Sequence, residues 1–554
     1  MRKKLLSLAL LLAMPSVVMA EEFYLCHDGD GTLPQSGICA YVYDEADYNL
    51  STNWAASDAD DGKIGWTDTV LLLDDGGDFT ITLATPLAGN KFTIKAAIGE
   101  TPVLNVASGN ALQYGNSGKS DLTIGPGIEF AGWQDANAAI RIIDPLSGIR
   151  ITGNLFTKAN AAVETYAINF YIANAATGGV NGVEVDLNDF QTNGKVEAIR
   201  YGVYTTTALN RIGNLNHHHN NFESVKNGLR FYLGAANQDY VLSNGLIPFN
   251  VKFDDNTGNH SQAALVGTQA GISEVDGTSS FSRNNFDYCG DAAQDAVNCL
   301  QMFYTVGADI NDNRLRYQDT ATCDGRFIIL DWAAVSDLYL SSANNVKRNI
   351  MEGANAACGG GCISAYKATD NDIEHNVCLG ATGSAYKVGS NESTGNSFTG
   401  NTAAAVLNCF AQEDGDNIGN TATWINNLCD SPTGKGFKTV NNSIATESYN
   451  LVYNAPANDI ALDATDITTD PQLDSAGRPR LKSLYDAGAA HDNIYCGSAE
   501  PIGAYELCKG VSMPPPLWFL GTPDSYSLGG GRVHVEYLYV GDEIVYLGVA
   551  PIEM

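Results

Sequence analysis

Basic side chains are scarce in this chain: 31 Lys and Arg stand against 63 Asp and Glu, a formal charge of −32. A protein that grips a phosphate backbone needs a basic stripe that releases counterions, and no such cluster is present, so nucleic acid is excluded as a partner. The same deficit weighs against polyanionic ligands unless bound cations invert the local field. Long apolar runs are missing as well. Beyond the first twenty residues no stretch of about 18 apolar residues free of charge occurs, so no transmembrane segment is expected. Helical periodicity is almost absent. There is no Gly-x-Ser-x-Gly elbow with partners, no nucleotide-binding loop and no cysteine nucleophile.

What is present begins with MRKKLLSLALLLAMPSVVMA, in which Arg2, Lys3 and Lys4 precede an apolar stretch closed by Val18, Met19 and Ala20. This pattern predicts a secretory signal peptide over residues 1–20, cut before Glu21. The expected destination is secretion, the cell surface or the periplasm, where an acidic, solvated surface is at home. The 12 cysteines then predict disulfides, because an exported chain meets oxidising conditions. Local candidates are Cys26 with Cys39, Cys289 with Cys299, and Cys496 with Cys508. "CGGGC", with Cys358 and Cys362, also reads as half a zinc site, but no second pair follows at ligand spacing.

The organising feature is Asn-x-apolar: Asn154/Phe156, Asn188/Phe190, Asn220/Phe222, Asn284/Phe286, Asn313/Leu315, Asn349/Met351, Asn376/Cys378, Asn401/Ala403, Asn427/Cys429 and Asn450/Val452. From Asn349 onward the steps are 27, 25, 26 and 23 residues, the period of stacked solenoid coils. Longer early steps imply inserted loops, and the 64 residues from Asn220 to Asn284 imply two coils, one out of frame near "NGLIPFNVKFDDN". Each unit carries short alternating runs such as Ile149 and Ile151, or Val183, Val185 and Leu187, between Gly, Asn and Asp. That is strand and turn chemistry. The recurring Asn is expected to take the left-handed conformation at a corner and to bond to its equivalent one coil above, with the following apolar residue inside. Cys378 and Cys429 fall in one slot two coils apart, roughly 9 to 10 Å at about 4.8 Å per layer, too far to pair with each other.

The "GIxIxxNxF" style of repeat resembles the right-handed parallel β-helix repeat of secreted bacterial proteins. The stretch "DPQLDSAGRPRLKSLYDAGAAHDNIYCGSAEPIGAYE", residues 470–506, is similar to the "DP…SPAIDAG…DIGAYE" ending of many of them. The resemblance implies an all-β, right-handed parallel β-helix (solenoid) and leaves activity open, since that architecture hosts lyases, hydrolases, epimerases, tail spikes and adhesins. The expected organisation is an N-terminal cap and first coils over 21–100, the β-helix over 101–508, a Pro-rich linker over 509–516 and a C-terminal β appendage over 517–554. In that appendage Val533, Val535, Tyr537 and Tyr539 turn at Gly541-Asp542 into Ile544 and Tyr546, a hairpin pattern. This appendage is a candidate surface for self-association or a protein partner.

Candidate chemistry is of three kinds. Glycosidases need an acid and a base flanking the cleaved bond; "KFDDNTGNH" offers Asp254 and Asp255 with Lys252 and His260 close by, the competing reading being a solvated turn. The "NTD", "GHG" and "RIK" segments of polygalacturonases are absent. Polysaccharide lyases need a base and a cation beside a uronate; Lys347 and Arg348, with Glu374 and His375 one coil later, fit neighbouring rungs and fit surface salt bridges equally. For metal, "NHHHNNF" places His217 and His219 on one strand face, and "SDADDG" gives Asp58, Asp60 and Asp61, a set without EF-hand spacing. Calcium is the cation such an acidic chain admits; no cofactor is fixed. The expected function is binding of carbohydrate, a polysaccharide or cell-surface glycan, or another extracellular surface along the solenoid, aided by 26 tyrosines. The alternative is a polysaccharide lyase or glycoside hydrolase acting in a cleft formed by loops around residues 190–300.

Overall fold

The computed structural model describes residues 22–479 except for 27–41, 56–62, 66–67, 75–76, 86–91, 116–119, 145–146, 159–161, 174–179, 205–211, 234–247, 260–265, 269–278, 288–297, 318–324, 332–339, 354–360, 390–392, 413–419 and 441–443, and then the strands Val533–Val540 and Glu543–Pro551. Within this span the chain is a parallel β-helix. Three sheets run along the solenoid, and from Val103 onward nearly every coil contributes one strand to each. Sheet I holds 9 strands from Glu22–Leu25 to Phe249–Asp254 and resumes, through single bridges at Ser280, in 6 strands from Asp309–Asn311 to Ile444–Ser448. Sheet II follows the recurring asparagine, from Val103–Asn105 to Leu451–Tyr453, and sheet III runs from Leu83–Thr85 to Phe437–Thr439. All pairings in these sheets are parallel, and the crossover rule for parallel strands gives the winding its right hand. The final pair, Val533–Val540 with Glu543–Pro551, is the antiparallel hairpin expected from its alternation. Among the described residues no helix is long and apolar enough to cross a membrane.

The asparagine ladder is continuous. The Asn376 backbone N–H and Nδ2 both donate to Asn401 Oδ1, each at 3.0 Å, while Nδ2 also donates to the Val346 carbonyl at 2.8 Å. The same pattern joins Asn154 to Asn188, Asn220, Asn256, Asn284, Asn313 and Asn349 below, and Asn401 to Asn427 and Asn450 above. The ladder closes on Asp466, whose Oδ1 accepts from Asn450 N at 2.7 Å. A second ladder, Asn344 to Asn371 to Asn396, lines the turn into sheet I.

Two expectations are corrected here. The left-handed residue at the corner is not the asparagine but the one before it: Leu187, His219, Asp255, Arg283, Asp312, Arg348 and His375 have φ between 54° and 59°. The asparagine needs its backbone N–H aligned with the next amide, so its neighbour takes the bend. Nor is any coil out of frame between Asn220 and Asn284. Asn256 stands on the ladder, and the inward slot that follows it is Gly258 instead of an apolar side chain. A Cβ there would lie 2.6 Å from Phe286 Cδ1 and 2.8 Å from the Phe222 carbonyl.

Inside, the slot after the ladder stacks Phe130, Phe156, Phe190 and Phe222 with ring centroids 5.0, 4.7 and 5.1 Å apart and nearly parallel planes. Phe253 fills the space left by Gly258, 5.8 Å from Phe222 and 6.2 Å from Phe286. Near the start of the solenoid, Tyr48 and Trp54, carried by the short helix Glu45–Tyr48 and the turn after it, are buried and lead through Phe92 to Tyr114. Higher up, the interior is cross-linked by Cys362–Cys378 and Cys409–Cys429. Cys378 and Cys429, which share one slot with Ala403 between them, do not pair with each other, as the layer spacing requires. Cys362 is thereby committed to a disulfide and not to zinc. Cys299 is disulfide-bonded; Cys39, Cys289, Cys496 and Cys508 lie outside the described residues.

Candidate functional site

The outer face of sheet III carries a cluster that local motifs do not reveal. Thr165–Ile172, Val196–Val203 and Asn227–Leu233 are neighbouring strands in strict register. Their inward residues, Ile168, Ile199 and Leu229 among them, are buried in the core and fix the strands in place. The register sets Tyr166 beside Glu197 beside Asn227, and Asn169 beside Arg200 beside Arg230, with Arg141 one strand earlier. Arg200 is sandwiched, its guanidinium carbon 4.3 Å from the Tyr166 ring centre and 4.2 Å from that of Tyr232. Arg141 lies 4.4 Å over Tyr171. Tyr171 stacks on Tyr204 at 4.4 Å, and Tyr204 leans on Tyr232 at 5.9 Å. Arg200 NH2 donates to Tyr204 Oη at 2.9 Å, tying the two motifs together.

Beside the rings lie two carboxylates. Glu197, with no exposed surface, accepts from Arg200 at 3.5 Å and forms a close ion pair with Arg230. Glu164 accepts from Lys226 at 2.7 Å and from Arg230 at 3.2 Å, and shares a hydrogen bond with Glu197. Burial and then the bond to Glu164 push Glu197 up to about 7, against the pull of Arg230 and Arg200. Glu164 is held down to about 2, first by the bond from Glu197 and then by Lys226 and Arg230, despite partial burial. The two carboxyls are pushed in opposite directions, Glu197 toward holding a proton and Glu164 toward staying ionised. Desolvation raises the phenols of Tyr166 and Tyr204.

The residues singled out from sequence stand elsewhere, on the outer face of sheet I and along its corner. Lys252 and Asp254 point outward from Phe249–Asp254. Asp254 accepts from Ser280 Oγ and Ser282 N, both at 2.8 Å, and burial raises its carboxyl. Asp255 sits at the left-handed corner, held by the Arg283 fork at 2.7 and 2.8 Å. Arg348, at the same corner higher up, forms the matching fork with Asp312. Lys347 and Glu374 face each other across adjacent strands at 2.9 Å, and His375 follows at the corner. The stacked-rung geometry expected for Lys347, Arg348, Glu374 and His375 is present, and ion pairs engage the first three. Their separation from Asp254 spans several coils. His260, Asp58, Asp60 and Asp61 lie outside the described residues, as do most of the loops from 205 to 297.

His217 and His219 do not share a face, which corrects the expectation from strand parity. His217 is fully buried inside the solenoid: Nδ1 donates to the Lys252 carbonyl at 3.0 Å, so Nε2 accepts the Tyr201 hydroxyl at 2.9 Å, and burial lowers its pKa to about 4. His219 occupies the left-handed corner outside. His218 is the histidine that the strand turns outward, beside Asp186 in register.

No protein-family model and no curated protein matches this chain. Solved structures do. The A-module of mannuronan C-5 epimerase AlgE6 from Azotobacter vinelandii is similar at 10% identity over 73% of this chain and 91% of that one, with a TM-score of 0.32. A PL6 alginate lyase in complex with a trisaccharide matches at 10% identity over 91% and 92%, with a TM-score of 0.38. A mannuronic acid specific polysaccharide family 6 lyase from human gut microbiota matches at 11% identity over 76% and 91%, with a TM-score of 0.33. Similarities at this level say nothing about what this chain does.

Proposed function

We propose that this chain is an exported glycan-binding protein whose binding surface is the outer face of sheet III around Arg200. The observation that carries the reading is the tyrosine–arginine lattice of Tyr166, Arg200, Tyr204 and Tyr232. Phenol faces stack on the apolar faces of sugar rings; Arg200, itself buried between two rings, fixes their spacing, and the partly exposed Arg141 and Arg230 beside it are placed to donate to hydroxyl or carboxylate oxygens. Stacked coils repeat such groups in steps of about 4.8 Å, which suits an elongated ligand. Arg141, Arg200, Arg230 and Lys226 outnumber Glu164 and Glu197 here, so within an acidic chain this patch favours sugars bearing carboxylates. Buried disulfides and the N-terminal signal pattern support an exported site of action.

Turnover is the second reading, because the two glutamates carry separated protonation states. Binding is preferred: Glu197 has no exposed surface, so a sugar ring cannot reach its carboxyl without displacing Arg200 or Tyr166. The test is affinity electrophoresis and calorimetry of the full mature chain against neutral and uronate polysaccharides, with unsaturated products and reducing ends followed in parallel. Retention without products supports binding. Absence of retention on every glycan overturns it, and products abolished by Glu197→Gln replace it with catalysis.

A further inference from the structure

We infer that Glu184, Asp186 and His218 form a binding site for a first-row divalent transition ion such as Zn2+, on the outer face of sheet I. The site is independent of the glycan surface, being built on a different sheet. Val180–Asp186 and Ile212–His218 are adjacent parallel strands, and their register sets Asp186 beside His218 and Glu184 beside Asn216. Glu184 and Asp186, two residues apart on one strand, therefore share the face onto which His218 turns. One ligand atom from each lies within 4.8 Å of the others. His218 Nε2 is 3.1 Å from Glu184 Oε1.

The donor set decides the kind of ion. One imidazole nitrogen and two carboxylates fit zinc and its neighbours, whereas calcium and magnesium take all-oxygen shells. Asp186 is nearly buried, while His218 and Glu184 remain about one-quarter and one-third exposed, so the ligands are held by a rigid sheet yet reachable from solvent. The second nitrogen of His218 is occupied: Nδ1 lies 2.7 Å from His219 Nδ1, and the left-handed corner at His219 brings that ring back toward its neighbour. Metal-bound imidazoles are oriented by such a contact on the other nitrogen.

Arg150 approaches from the strand on the far side, donating to Asp186 at 3.2 and 2.7 Å and lying 3.5 Å from Glu184 Oε2. It orients the carboxylates and offsets one negative charge. It leaves Glu184 Oε1 turned toward His218. A divalent ion entering between Glu184 and His218 replaces their 3.1 Å contact and meets one uncompensated carboxylate charge and an imidazole nitrogen.

The experiment uses the untagged full mature chain, stripped with a chelator and dialysed against Zn2+ with metal quantified, and Co2+ as a spectroscopic probe. One equivalent bound, with visible Co2+ absorption, is expected. His218→Ala and Glu184→Gln should each weaken binding by tenfold or more, His219→Ala by about tenfold, and His375→Ala should leave it unchanged. Thermal melting without metal confirms that the variants fold. Zn2+ binding unaffected by His218→Ala and Glu184→Gln, or binding that appears only in Arg150→Gln, overturns the proposal.

Discussion

Glu197 and Arg230 stand on adjacent strands as an ion pair in which the carboxylate has no exposed surface and the guanidinium keeps about one-fifth of its own. Because Glu164 bonds to the same carboxyl, the two glutamates behave as a proton-sharing unit beside the tyrosine rings.

That unit makes stability depend on pH in a defined window. Glu197 binds its proton more tightly in the folded chain, near 7, than a free glutamate does, so its contribution is complete below the unfolded value of 4.5 and is lost as pH rises through about 7. Glu164 works in the opposite sense: its contribution is complete above 4.5 and is lost as pH falls through about 2. Glu197→Gln should therefore flatten the fall in melting temperature between pH 4.5 and 7, and Glu164→Gln should remove the fall below 4.5. Unchanged profiles in both variants would refute the assignment.

Tyr204 is the most accessible member of the lattice, about one-third exposed. Tyr204→Ala removes one stacking face, worth about 1 kcal/mol, and should weaken glycan binding about fivefold with little effect on melting. Tyr204→Phe keeps the face and loses the bond from Arg200, so calorimetry should place it between the two.

In the ladder, Asn376 both gives and receives. Its Oδ1 accepts from Asn349 N and Nδ2 at 2.9 Å, and its Nδ2 donates onward. Asn376→Ala strands these buried partners and should cost about 3 kcal/mol or more in urea unfolding. Asn154, whose Oδ1 has no partner among the described residues, should cost visibly less when changed to alanine.

Much of this fold is legible in the sequence because one residue does one job per coil. The ladder asparagine cannot be replaced without stranding its neighbours, so it recurs at the coil period and announces the architecture. The coil at Asn256 escapes the pattern because its inward slot holds Gly258, a choice forced by the ring of Phe286 and the backbone carbonyl of Phe222 and invisible without them. The outer face of sheet III escapes for another reason. Tyr166, Arg200 and Tyr232 come from three coils but from three different register positions, paired with Glu197, Arg230 and Gly202, so no repeat spacing marks them, and "ETYAINFYI" alone reads as a strand. In "NHHHN" the parity was readable, but which histidine faces outward depends on the register with Asp186.

Gly258→Ala tests the packing account directly. Its methyl would press on Phe286 and on the Phe222 carbonyl, and backbone on one side cannot yield. A loss of about 1–3 kcal/mol is expected in chemical denaturation, as for other overpacked cores. Pairing the change with Phe286→Leu should recover part of it, a coupling that independent sites would not show.

The two buried disulfides close segments of 16 and 20 residues within the upper solenoid. Loops of this size stabilise by about 3 kcal/mol each when closed, chiefly by restricting the unfolded chain. Cys362→Ser with Cys378→Ser should therefore lower unfolding free energy by about that amount, and the Cys409/Cys429 double change should do the same. Peptide mapping under non-reducing conditions should recover Cys362 with Cys378 and Cys409 with Cys429. A Cys378–Cys429 peptide would mean that the coils are not stacked in the register that places Ala403 between them, and with that register the ladder and both surface sites would fall.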